Sequence, residues 1–74
     1  MNSPLTEQQI INLIMQQQTA LSARGLAQYA GIDADSAVLN GIQHQCWAMV
    51  ESGVLRAFDR RDERRGILAF YLTI

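Results

Sequence analysis

Seventy-four residues with a net charge of −1, 49% hydrophobic content and a mean hydropathy of −0.01 describe one folded domain, residues 1–74, with room for a single core. The longest apolar run, residues 67–72, falls far short of the ~20 residues of a membrane helix, and the N-terminus has no basic region followed by an apolar one. The expectation is a cytoplasmic protein that spans no membrane. The one cysteine, Cys46, has no second Cys or His at metal-ligand spacing, so neither an internal disulfide nor a metal or cofactor is expected.

Charge is unevenly distributed. Residues 1–53 carry Arg24 against Glu7, Asp33, Asp35 and Glu51, a balance of −3, whereas residues 54–74 carry five arginines against three acids, a balance of +2. There is no lysine. Positive potential therefore resides in guanidinium groups near the C-terminus, which suit bidentate contact with carboxylate or phosphate.

In chain order, Thr6-Glu7-Gln8-Gln9 fits a capping box and predicts the start of a first helix, along which Ile10, Leu13, Ile14 and Gln17 follow the i, i+3, i+4, i+7 pattern. Ile11 and Met15 widen that stripe. Thr19-Ala20-Leu21 reads as a brief extended link. Ser22 is an N-cap for a short second helix over residues 23–30, with Gly31 in the left-handed position that ends it. The stretch from Asp33 to Gly53 predicts a long amphipathic helix. Val38, Leu39, Ile42, Cys46, Met49 and Val50 share its apolar sector, Asp33 or Asp35 caps its start, and Gly53 closes it. Cys46 on that sector reads as a buried, inert thiol.

After Gly53 the period changes to two, predicting two strands. Leu55 and Ala57 alternate with Val54, Arg56 and Phe58, and Leu68, Phe70, Leu72 and Ile74 alternate with Ile67, Ala69, Tyr71 and Thr73. The polar segment 59–66 between them reads as a hairpin arm projecting into solvent. The fold class is therefore α+β, three helices followed by a β-hairpin.

This order resembles the winged helix-turn-helix fold. "SARGLAQYAGID" looks like the second helix and turn of bacterial regulators of that superfamily, and "ESGVL" like the end of a third helix entering the wing. "VLRAFDRRDERRGILAFYLT" resembles the wing of MarR-type repressors, where an Asp-x-Arg pair precedes a strand ending in Leu-Thr. The resemblance implies that Asp62 steadies the wing by holding Arg64, which approaches a minor groove. MarR-type proteins dimerise through additional terminal helices for which this chain has no room, and the span from Gly31 to Gly53 is about one helical turn longer than the usual turn and recognition helix. The size is closer to small stand-alone regulators of fimbrial operons, phages and plasmids.

Candidate DNA-binding residues fall into two groups. Arg60, Arg61, Arg64 and Arg65 in the arm suit phosphates or a minor groove, or else pair with the acids among them as a solvated hairpin. On the long helix, Ser36, Asn40, Gln43 and His44 can hydrogen-bond to base edges, form an ordinary solvated face, or make a protein contact. Arg24 suits a phosphate, with an ion pair to Asp33 or Asp35 as the alternative. Trp47 reads either as packing against the wing or first helix, or as an exposed anchor for a homodimer or other protein partner; Tyr29 and Tyr71 admit the same two readings. No nucleophile elbow, phosphate-cradling glycine loop or paired-acid motif is present, so catalysis is not expected. The leading expectation is a small DNA-binding transcriptional regulator or accessory factor acting on double-stranded DNA; the other is a winged helix used for protein interaction.

Overall fold

A computed structural model describes residues 4–59 and 68–73. It is an α+β structure: three helices, α1 (Glu7–Gln17), α2 (Ala23–Ala30) and α3 (Ser36–Glu51), followed by an antiparallel hairpin of β1 (Leu55–Asp59) and β2 (Leu68–Leu72).

The helix boundaries follow from local hydrogen-bond chemistry. The first N–H groups of a helix have no partner within it, and a short polar side chain just before the first turn supplies one. At α1, the Gln9 N–H donates to the Thr6 hydroxyl at 3.2 Å, and the Thr6 N–H donates to Gln9 Oε1 at 2.9 Å. Leu5 and Ile10, which flank this capping box, are both buried in the core, forming a hydrophobic staple that fixes how the chain enters the helix. At α2, the Gly25 N–H donates to the Ser22 hydroxyl at 3.1 Å.

The helix ends use left-handed residues. Gly31 (φ 74°) and Gly53 (φ 86°) adopt a conformation that costs most residues steric strain. Around each, two backbone bonds close the last turn: Gly31 N–H to Gln28 and Ile32 N–H to Ala27, then Gly53 N–H to Val50 and Val54 N–H to Met49. α1 ends differently, with Gln18 itself at φ 54° and its N–H donating to Ile14.

α3 begins three residues later than the stretch expected from Asp33. Asp35, not Asp33, is the cap, its carboxylate accepting from the Val38 N–H at 2.9 Å. Residues 32–35 form the connection, and α3 itself runs 16 residues.

In the hairpin, Leu55 faces Leu72, Arg56 faces Tyr71, Ala57 faces Phe70, Phe58 faces Ala69 and Asp59 faces Leu68. Alternation sends Leu55 and Phe70 into the core. Leu21, expected to be a plain link, pairs with Phe70 through both backbone bonds, at 2.9 and 2.8 Å, so β2 is bonded on both edges. The Thr73 hydroxyl donates to the Gly53 and Val54 carbonyls, holding the hairpin base to the end of α3.

The core joins Ile10 and Ile14 of α1, Leu26 and Ala27 of α2, Ile42, Cys46 and Met49 of α3, and Leu55 and Phe70 of the hairpin. Trp47 packs against this cluster, its ring meeting Phe70 edge-to-face with centroids 5.4 Å apart and planes at 88°. No described helix is long and apolar enough to cross a membrane.

Two substitutions test this packing. Phe70→Ala should destabilise the domain by about 3–5 kcal/mol, comparable to the whole stability of a domain this small, and abolish a cooperative thermal transition. Gly25→Ala should do the reverse. A Cβ there would meet Ser22 Oγ at 3.5 Å and Leu21 Cδ2 at 3.6 Å, ordinary contacts, so the helix gains up to ~1 kcal/mol, read as a Tm rise of about 4–8 °C.

Candidate nucleic-acid interface

α3 packs on α2, α1 and β1 and leaves one side outside the core. At 100° per residue, Ser36, Asn40, Gln43 and His44 run along that side. Ser36, Asn40 and His44 are exposed, and Gln43 is half-buried. Hydroxyl, amide and imidazole groups at this spacing present donors and acceptors within about two turns. The same side ends at Trp47, which is turned onto Phe70, so the polar strip stops where the hairpin begins.

Carboxylates at the start of such a helix repel phosphate. Asp35 is engaged as the cap, and the positive end of the α3 dipole offsets its charge. Asp33 is exposed in the preceding connection.

Arg24 lies in the first turn of α2 and is exposed. Among the described residues it makes no ion pair with Asp33 or Asp35, so the pairing weighed as its alternative is not formed. The other candidate cations, Arg60, Arg61, Arg64 and Arg65, and the proposed wing-steadying Asp62, lie outside the described residues. Composition still assigns them their weight. Residues 60–67 hold four arginines against two acids, while the described residues hold Arg24 and Arg56 against five acids, a balance of −3.

The sequence reading did not single out the solvent face of the hairpin. The register places Arg56 beside Tyr71 there, with Phe58 one pair further along. Phe58 is 44% and Tyr71 37% exposed. Tyr71 borders two grooves, one shared with Met15 and Thr19 and the other with Arg56 and Val50. The signal was available in the alternation of Arg56 and Phe58 with the inward Leu55 and Ala57. Tyr29 is also on the surface, at 53% exposure.

Nothing in the described part assembles a metal site: no group of three His, Cys, Asp or Glu side chains converges there. Cys46 is buried, and desolvation pushes its thiol from 9.0 up to about 12. The unfolded chain therefore loses this proton first, so the thiol's contribution to stability is intact below pH 9.0 and declines as pH rises toward about 12. Alkylation by iodoacetamide at pH 8 should be at least ~100-fold slower in the native protein than in urea, because thiolate is the reacting form.

Comparisons with protein-family models, with curated proteins and with solved structures give no match to this chain.

Proposed function

We propose that the chain is a small winged helix-turn-helix protein that binds double-stranded DNA as a transcriptional regulator or accessory factor. The observation that carries this reading is the exposed polar strip Ser36–Asn40–His44 on α3, the last of three helices, directly preceding an antiparallel hairpin whose connecting segment is rich in arginine. In this reading α3 lies in the major groove. Asn40 and Gln43 make bidentate contacts with adenine edges, and Ser36 and His44 add single hydrogen bonds. Arg24 contacts a phosphate. Arg60, Arg61, Arg64 and Arg65 supply the salt-dependent affinity on phosphates or in a minor groove, with Asp62 steadying Arg64 as in the MarR-type wing.

Division of labour follows from the charges. The polar strip carries no cation, so it contributes discrimination and little affinity. Affinity must come from the arginines, against a balance of −3 over the described residues. A homodimer would compensate by presenting two such arms to one duplex. The second reading, a winged helix that binds protein and not DNA, draws on the same negative balance and on the exposed Met15, Tyr29 and Tyr71.

Fluorescence anisotropy of a labelled random-sequence duplex tests the choice. With five phosphate contacts, four from the arm and one from Arg24, affinity should fall about 500-fold between 50 and 200 mM salt, and replacing the four arm arginines by Ala should abolish most of that slope. Absence of binding even at 50 mM salt, with a stable oligomer in light scattering, would reject DNA binding and favour the protein-interaction reading.

A further inference from the structure

Of the three asparagines in the chain, Asn2 precedes Ser3, Asn12 precedes Leu13 and Asn40 precedes Gly41. An asparagine side chain can be attacked by the backbone nitrogen of the next residue. Glycine, with no Cβ, crowds that nitrogen least and lets the chain reach the conformation for ring closure. Asn40 is exposed, and no described residue hydrogen-bonds its side-chain amide. The fold nonetheless blocks the reaction. Both residues lie inside α3, whose bonding pattern commits the Gly41 N–H to the Ala37 carbonyl and whose ψ of about −42° holds that nitrogen away from Asn40 Cγ. Gly41 is buried, Ile42 beside it is 0% exposed within the core, and the Asp35 cap holds the preceding turn through Val38. Freeing this peptide unit therefore draws Ile42 out of the packing that joins all three helices, an opening close to global unfolding.

We propose that Asn40 is a spontaneous deamidation site, closed in the native protein and opened by unfolding, so that residence in the unfolded state permanently removes the amide from the polar strip of α3. Once the helix opens, the deprotonated Gly41 nitrogen attacks Asn40 Cγ. The new bond closes a five-membered succinimide, and the side-chain nitrogen leaves as ammonia with the proton that Gly41 gave up. Water then adds to one of the two ring carbonyls and breaks its bond to nitrogen, which regains a proton. Opening at Cγ yields aspartate, and opening at the backbone carbonyl yields isoaspartate; no oxidant or reductant is needed. Aspartate only accepts hydrogen bonds, so it cannot supply the N–H half of a bidentate adenine contact, and its charge repels phosphate. Isoaspartate routes the backbone through Cβ and breaks the hydrogen-bond register of α3. The consequence for DNA rests on the duplex reading above; the chemistry and its gate do not.

The test is peptide mapping by mass spectrometry of the full chain, incubated at mildly alkaline pH in buffer and in guanidinium chloride, reading at each asparagine the mass gained when amide becomes acid. In denaturant Asn40 should convert well before Asn12. In buffer it should convert at least ~100-fold more slowly, because a folded domain keeps less than about one per cent of its molecules unfolded. Between these limits the rate should rise in step with the unfolded fraction seen by circular dichroism. Gly41→Ala, assayed in denaturant where folding is irrelevant, should bring Asn40 down toward the rate of Asn12. Conversion no faster at Asn40 than at Asn12 in denaturant overturns the site. Conversion in buffer at the denatured rate overturns the gate, as does a rate in dilute guanidinium that does not follow the unfolded fraction. Asn40→Asp, which installs the carboxylate directly, should weaken duplex binding by roughly five- to 150-fold in anisotropy. Unchanged duplex affinity in that variant, with conversion gated as above, counts against the major-groove reading alone.

Discussion

Phe70 is where the separate parts of the chain are joined. Its backbone bonds to Leu21 on one edge of β2 while Ala57 faces it from β1 on the other, and its fully buried ring meets Trp47 of α3 in an edge-to-face pair. An edge-to-face pair of this kind contributes about 0.5–1.5 kcal/mol beyond area burial. Its larger consequence is geometric: the link after α1, the hairpin and the third helix are held in one arrangement. The polar strip on α3 and the arginine-rich connection between the strands can only act on one ligand if that arrangement is kept.

Much of this was legible in the sequence because it is local. Thr6, Ser22, Gly31 and Gly53 act within one turn of their own position, and each does what its residue type predicts. The start of α3 was less determined, because Asp33 and Asp35 are chemically equivalent as caps, and it is the Asp35 carboxylate that accepts from the Val38 N–H. Leu5, Leu21 and Trp47 were harder for a different reason. Their roles depend on partners that are distant in sequence, as with Leu21 and Phe70, or on a capped turn that pulls an adjacent apolar residue inward. Trp47 lies off the apolar stripe of its own helix. A helical wheel measures position against one buried side, whereas α3 is covered on a second side by the hairpin.

The candidate site was legible in part. Ser36, Asn40 and His44 were assigned to the outer side of α3 by periodicity and are exposed there. Half-burial of Gln43 could not be read from spacing, since it depends on what packs alongside. The hairpin face was overlooked because the run of arginines beyond it carries the stronger compositional signal. Strand alternation and register, not composition, bring Arg56, Phe58 and Tyr71 together.

In the proposed DNA-binding role, discrimination lies on a neutral helix face and affinity on an arginine-rich segment, with the net-negative remainder of the domain opposing non-specific adhesion. Backbone amide NMR during titration with duplex DNA addresses that separation most directly. Shift changes should concentrate at residues 36–44 and 60–65, with the α1 amides unmoved. Perturbation that leaves residues 36–44 unchanged while the duplex is bound would contradict that separation.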